Sequence, residues 1–337
     1  MADQMPPDGG DSEQDPILRL AYTSEGGHIY ESDDEFVNDD WSGEPTKRTW
    51  LIRDLIPDNR LTMLVGEGGL GKSLMATQIA LAVASGDEDV LPGSELVYEH
   101  EPRTVVHVSY EEEKQEFIRR IHHLGGSDIV GRIGKRFVVF DGAAAGELWR
   151  PDPDGSGHTS TAGKGTETLA AVKRLCEQRN ASMLIIDTTG HAFMSNENDR
   201  GIVNEFLRDL DHWARKHITA VVLVSHPPKS EHRYSGSSTW RGTVRAMLSV
   251  EMSVLEKGGK GEPDAKWPAL VLDKSNYGMP RHETPKWWLV RGKDGRFPVG
   301  KISVVDKVKA KQMLYGIVPS ESDPVDDDDD DYDLNDW

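Results

Sequence analysis

The chain has 337 residues, 36% hydrophobic and 29% charged, enough for one large domain or two small ones with a real core. Its net charge of −19 describes the ends: residues 1–45 hold 13 acids and one base, and residues 319–337 hold 10 acids and no base. Between them 38 bases stand against 35 acids, so the centre is mildly basic and the acidic total does not exclude a nucleic-acid partner.

The stretch to Pro45 is rich in Asp, Glu, Gly and Pro with few periodic apolar residues, so a disordered acidic arm is expected over 1–45. It lacks the basic start and apolar run of a signal peptide, and no apolar run in the chain approaches about 18 residues, which predicts a soluble, cytoplasmic protein away from membranes. A single domain is expected over 46–318. Short β-branched runs there alternate with helical patterns, the mark of an α/β fold with a largely parallel sheet. A strand at Leu61–Val65 leads through a Gly-rich turn to a helix at Lys72–Ser85, apolar nearly all round and stopped by Gly86. A strand at Thr104–Ser109 precedes a helix at Glu112–Leu124, where Phe117, Ile118, Ile121 and Leu124 share a face and Gly125 is the stop.

A short strand at Phe137–Phe140 is followed by a Gly, Pro, Ser and Thr tract, Pro151–Gly165, read as a mobile loop. The helix Glu167–Arg179 contains Cys176, the chain's single cysteine, which excludes an internal disulfide and a clustered zinc site and points to a reducing compartment. A strand at Met183–Asp187 comes next. The helix Gly201–Lys216 then carries Ile202, Val203, Phe206, Leu207, Leu210 and Trp213 on one stripe, so it should pack on the sheet. After a strand at Ala220–Ser225 and a polar loop to Arg241, β-rich segments follow at Leu248–Leu255, Ala269–Asp273 and Trp287–Arg291, with Gly258–Lys266 as a hairpin connection. From Pro319 the chain runs into Asp326–Asp331, a like-charge block expected to be a disordered acidic tail over 319–337.

The chemistry concentrates at strand ends. Gly66-Glu67-Gly68-Gly69-Leu70-Gly71-Lys72-Ser73 satisfies the phosphate-loop pattern G-x-x-x-x-G-K-[ST], and it lies between a predicted strand and helix as that pattern requires. Glycines let backbone N–H groups turn inward around a phosphate, the helix N-terminus adds positive dipole, Lys72 reaches the β and γ phosphates, and Ser73 can hold Mg²⁺. Asp187 ends a buried strand, where its carboxylate can hold the same ion opposite Ser73. Thr188, not Glu, follows it, so a catalytic base must come from another strand end. Glu111 is the candidate, delivered after Thr104–Ser109 at the edge where ligands bind in open α/β sheets, with Glu112 as the substitute. His226 ends the strand Ala220–Ser225 at that edge. Beyond it Lys229, His232, Arg233, Arg241 and Arg245 surround Ser235–Thr239, either a nucleic-acid loop contacting phosphates through Lys229, Arg233 and Arg241 or a solvated surface loop. No G-x-S-x-G, H-E-x-x-H or cysteine pair supports a rival chemistry.

With these residues in this order, residues Trp50 to Val299 resemble the RecA-like ATPase superfamily, and within it the RepA-like plasmid replication helicases and related phage ATPases. Val108-Ser109-Tyr110-Glu111-Glu112, Leu184-Ile185-Ile186-Asp187, Ser225-His226-Pro227-Pro228-Lys229 and Asp273-Lys274-Ser275-Asn276-Tyr277-Gly278 add to the phosphate loop. The resemblance implies a RecA-like core and Mg²⁺-dependent ATP hydrolysis between subunits of a hexameric ring. It implies single-stranded DNA as partner, and a bacterial or phage-infected cell. By it Glu111 is the catalytic glutamate, Asp187 the magnesium aspartate, His226 the γ-phosphate sensor, and Arg245 and Lys274 cations acting on a neighbouring subunit. Asn276 stands where replicative helicases carry a second arginine. The loop Thr189–Arg200, which would face DNA, holds Glu197 and Asp199 and is poorly basic. Two alternatives stay open: a filament-forming recombinase or annealing ATPase, and a nucleotide-gated adaptor. The acidic tail either keeps the chain soluble, competes with nucleic acid for the basic channel, or offers Leu334 and Trp337 to a replication partner.

Overall fold

The computed structural model describes residues 19–22, 28–31, 48–87, 90–91, 101–151, 163–226, 239–255, 265–277, 286–291 and 302–316. The chain divides into two units, Met1–Arg48 and Thr49–Trp337. In the first, β1 (Arg19–Tyr22) and β2 (His28–Glu31) pair antiparallel, Arg19 opposite Glu31 and Tyr22 opposite His28. The sequence reading has no element there. The rest of the acidic arm and the acidic tail from Pro319 lie outside the described residues.

The second unit opens with a short antiparallel pair, β3 (Trp50–Ile52) and β4 (Ile56–Pro57); its Leu51, Ile52 and Ile56 are buried, as is Leu55 in the turn between them. Then come β5 (Leu61–Gly66), α1 (Lys72–Ser85), β6 (Thr104–Ser109), α2 (Lys114–Ile133) and β7 (Phe137–Asp141). Gly86 closes α1 in a left-handed conformation (φ 66°) and donates its N–H to the Ala82 carbonyl. Two short segments, α3 (Gly142–Ala145) and the antiparallel pair of β8 (Trp149–Pro151) with β9 (Gly163–Gly165), precede α4 (Glu167–Arg179). The tract read as a loop is thus anchored at both ends. Next are β10 (Ala181–Asp187), the single turn α5 (Thr189–Ala192), α6 (Arg200–His217), β11 (Ala220–Ser225) and α7 (Thr239–Thr243). The chain ends in β12 (Ala246–Leu255), β13 (Ala265–Ser275), β14 (Lys286–Arg291), β15 (Ile302–Val305) and α8 (Lys307–Tyr315).

One expectation fails in α2. The helix does not stop at Gly125 but runs on to Ile133, and Gly134 caps it by donating its N–H to the Val130 carbonyl. Ile129 and Ile133 continue the buried face of Leu124. Burying two such side chains, at about 1.5–3 kcal/mol each, offsets the roughly 1 kcal/mol that each of Gly125, Gly126 and Gly131 costs inside a helix.

Among the described residues nine strands form one sheet in the order β15-β14-β13-β12-β5-β11-β10-β6-β7. From β12 to β7 every neighbouring pair is parallel; β13, β14 and β15 add on antiparallel as a β-rich extension. Alternate residues feed the two faces. Leu64, Val105, Met183, Ile185, Val222 and Val224 pack under α1 and α2, while Met63, Val106, Val108, Leu184, Ile186 and Leu223 pack under α4 and α6. A third cluster of Leu255, Trp288, Val290, Val305 and Ala310 seats α8 on the extension. This is the expected α/β fold, with helices on both faces of a mostly parallel sheet. Its register brings the C-terminal ends of β5, β6, β10 and β11 to one edge, with Asp187 beside Ser109 and Val224, and Ser225 beside Val65. Among the described residues no helix is long and apolar enough to cross a membrane.

Candidate functional site

Gly66 leaves β5 in a tight space: a Cβ there would lie 2.6 Å from the Val250 carbonyl oxygen and 3.2 Å from Lys72 Cδ. Gly69 and Gly71 then take φ of 82° and 92°, a left-handed region that other residues enter at a cost, and this bends the loop back onto the first turn of α1. A Cβ on Gly68 or Gly69 would meet nothing within 4 Å, so the loop backbone faces open space at the helix N-terminus. Lys72 is buried beneath it, and its Nζ donates to the Glu67 carbonyl at 2.9 Å. Burial pushes the Lys72 pKa down, and the charges of Asp187, Glu111 and Glu67 oppose that shift.

Opposite the loop, Ser73 Oγ donates to Asp187 Oδ1 at 3.2 Å. A hydroxyl and a carboxylate this close at a helix N-terminus form an oxygen donor set suited to a hard cation that keeps water and phosphate oxygens in its other positions. Among the described residues no group of three or more His, Cys, Asp or Glu side chains could hold a metal ion. Behind Asp187 lies His107, fully buried on β6, with Nε2 3.6 Å from Asp187 Oδ2. Neither ring nitrogen of His107 has a hydrogen-bond partner among the described residues. Phe117 and Phe137 meet that ring edge to face.

Glu111, just past the end of β6 and three strands from β5 in the sheet order, faces the loop. Its Oε1 is 3.7 Å from His226 Nε2 and 3.7 Å from His191 Nδ1, and it accepts from Thr188 Oγ1 at 3.3 Å. His226 Nδ1 is 3.4 Å from Lys72 Nζ. An ammonium only donates, so Nδ1 accepts and the proton sits on Nε2, toward Glu111. Lys72, His226 and Glu111 therefore form one polar chain across the sheet edge. Glu112 turns the other way and pairs with Arg120 on α2, which separates the two glutamates that the sequence left open. His191 and Thr188, absent from the sequence-based set, complete the cluster. No spacing pattern marks them, because they arrive on the turn after β10.

The remaining candidates are elsewhere. Arg245 is exposed just before β12, its N–H bonded to the Leu61 carbonyl at the start of β5, the opposite edge of the sheet from the phosphate loop. Lys274 lies across from Met247 near that same edge, and its Nζ donates to the carbonyls of Arg241, Gly242 and Val244 at 2.7, 3.1 and 2.7 Å. Arg241 is exposed on α7 and donates from Nη2 to the Asp273 carbonyl at 3.4 Å. Lys229 and Arg233 lie outside the described residues. The segment Thr189–Arg200 begins anchored to the core: Thr189 Oγ1 donates to the Val224 carbonyl at 3.1 Å, and Ala192 and Phe193 are buried, while Gly190 and His191 are exposed.

Comparison with known proteins finds a family profile, described as an AAA domain, matching residues 30–232, more than half of the chain. Chains of solved structures also match, 583 of them. One is the crystal structure of a KaiC-like protein from the hyperthermophilic archaeon Pyrococcus horikoshii OT3, 17% identical, covering 77% of this chain and 99% of that one with a TM-score of 0.47. None of the curated proteins matches.

Proposed function

The chain belongs to the AAA domain family, and from that premise we propose that this P-loop ATPase of the RecA family works as an oligomeric motor, hydrolysing ATP between subunits of a ring while it moves along single-stranded DNA as a replicative helicase. The observation that carries the oligomeric reading is the separation of its charges. Lys72, Ser73, Glu111, Asp187 and His226 meet at one edge of the sheet, whereas Arg245, an exposed cation, stands at the other. Stacking one chain's Arg245 edge on the next chain's phosphate-loop edge completes a site that neither has alone.

In this reading the N–H groups of Gly68 to Lys72 cradle the phosphates and Lys72 binds the β and γ oxygens. Ser73 and Asp187 would hold Mg²⁺, which when bound offsets the charge of those oxygens. Glu111 orients a water in line with the γ-phosphate and takes its proton, and His226, tied to both Lys72 and Glu111, senses whether that phosphate is present. Arg245 of the neighbour adds positive charge to the transferring group, a contribution of about 10³–10⁵ in rate where such cations have been removed. Lys274 serves α7 in its own chain, since three carbonyls take the three donors of its ammonium. The nucleic-acid part is supported by the mildly basic centre of the sequence, by the sequence resemblance and by exposed Arg241, with Lys229 and Arg233 in the same connection.

Steady-state ATP hydrolysis, measured with and without single-stranded DNA at several protein concentrations, tests this. Turnover should rise with DNA and with concentration and should collapse in Glu111→Gln. Turnover indifferent to DNA would favour the nucleotide-gated adaptor, and an unaffected Glu111→Gln variant would remove the base assignment.

A further inference from the structure

We propose that His191 is a positioning residue for Glu111, acting through the Thr188 hydroxyl. The inference rests on the reading of Glu111 as the base. Thr188 Oγ1 is 3.3 Å from Glu111 Oε1 and 3.1 Å from His191 Nδ1. A hydroxyl has one proton. An ionised carboxylate can only accept, so that proton goes to Glu111, and His191 Nδ1 must be the donor into the hydroxyl's lone pair. The result is a directed chain, from His191 Nδ1–H to Thr188 Oγ1–H to Glu111 Oε1, which fixes both the imidazole tautomer and the carboxylate's orientation. His226 Nε2 lies 3.7 Å from the same oxygen. Glu111 Oε1 thus has two histidines of opposite tautomer near it, one that contacts Lys72 and one on the turn after β10.

The placement of His191 is built into the fold. Its backbone N–H bonds to the Thr188 carbonyl at 3.2 Å, so the turn folds the ring over the hydroxyl. Tyr110 stacks against the imidazole, centroids 6.4 Å apart and planes 14° apart. Tyr110 is itself fixed, since its hydroxyl donates to the Gly146 carbonyl at 3.1 Å, and its ring packs so closely on Gly142 that a Cβ there would lie 2.8 Å from it. Yet His191 remains 60% exposed. A side chain this exposed gives little to the core, which leaves the Tyr110 stack and its polar contacts as the reasons for its orientation. A carboxylate that must hold water in line loses rate steeply when it swings away, on the order of 10²-fold for a displacement of about 1 Å.

The test compares His191→Ala, His191→Asn and Thr188→Val, with kcat and KM for ATP measured separately, and single-turnover hydrolysis of His191→Ala in a Glu111→Gln background. His191→Ala and Thr188→Val should each lower kcat roughly 10- to 100-fold at unchanged KM, and together they should cost no more than either alone. His191→Asn, whose amide nitrogen reaches the Nδ1 position, should stay within about threefold of wild type. On Glu111→Gln the loss of His191 should add nothing. Wild-type kcat in His191→Ala, an Asn variant as slow as the Ala variant, or the full loss repeated on Glu111→Gln would overturn the proposal. A Glu111→Gln chain that hydrolyses ATP at the wild-type rate would instead bring down the base reading beneath it.

Discussion

Arg245 should act only on a neighbouring subunit's nucleotide, and mixing two inactive variants tests this directly. Strand β12 pairs with β5 from Ala246 beside Thr62 to Val250 beside Gly66, so Arg245 precedes the phosphate-loop level by five residues. At a rise of about 3.3 Å per residue that is roughly 16 Å. An extended arginine reaches roughly 7 Å, which leaves the guanidinium about 9 Å short of its own site even when aimed straight at it. Arg245→Ala should therefore lose about 10³-fold or more in kcat through the neighbour's site, and Glu111→Gln about 10²- to 10⁴-fold through its own. In an equimolar mixture that assembles at random, about one interface in four joins an intact Glu111 to an intact Arg245, so steady-state turnover should recover to about one quarter of wild type. Recovery should grow with total protein concentration. A mixture no faster than the sum of its parts would refute the trans assignment, because a cation serving its own chain's site gives nothing back on mixing.

Two stability predictions concern the elements that present the site. Gly131 is exposed on α2 with nothing within 4 Å of a Cβ, so Gly131→Ala should raise stability by about 0.8–1.0 kcal/mol in urea unfolding; a lowered midpoint would mean the helix does not pass through that residue. Gly66→Ala must push against the Val250 carbonyl and the Lys72 stem, and should cost about 1–3 kcal/mol in thermal unfolding and weaken binding of a fluorescent ATP analogue. Unchanged melting and binding would show that β5 and β12 do not close on the loop as described.

The parts of the fold legible in the sequence are those whose signals are local. The helices α1 and α4 carry their own stops and caps, Gly86 for one and the Thr166 hydroxyl accepting from the Leu169 N–H for the other, and both match the expected ends. The strands β6 and β11 are apolar runs bounded by turns and match likewise. The length of α2 was not legible, because Gly125-Gly126 reads locally as a stop, and only the buried faces of Ile129 and Ile133 reverse that reading. The turn α5 and helix α7 are too short to have a period. They exist because Thr189 bonds to the Val224 carbonyl and because Lys274 gathers the carbonyls at the end of α7, contacts made across 35 and across 30 to 33 positions of sequence.

The site divides in the same way. The phosphate loop and the strand-end positions of Asp187 and His226 follow from pattern alone, since a parallel sheet delivers the ends of its strands to one edge. The choice between Glu111 and Glu112 does not, because adjacent carboxylates at a helix start look alike in sequence. Arg120 decides it: one side chain from α2 claims Glu112, and that leaves Glu111 as the carboxylate facing Lys72, His226 and Thr188. His191 was invisible for the opposite reason. A lone histidine in Thr-Gly-His-Ala carries no spacing signal, and its relation to Glu111 is set by the pairing of Asp187 with Ser109, which lays the turn after β10 against the turn after β6. The register that aligns two strands of the sheet thus also decides which acid meets His226 and Thr188 at that edge.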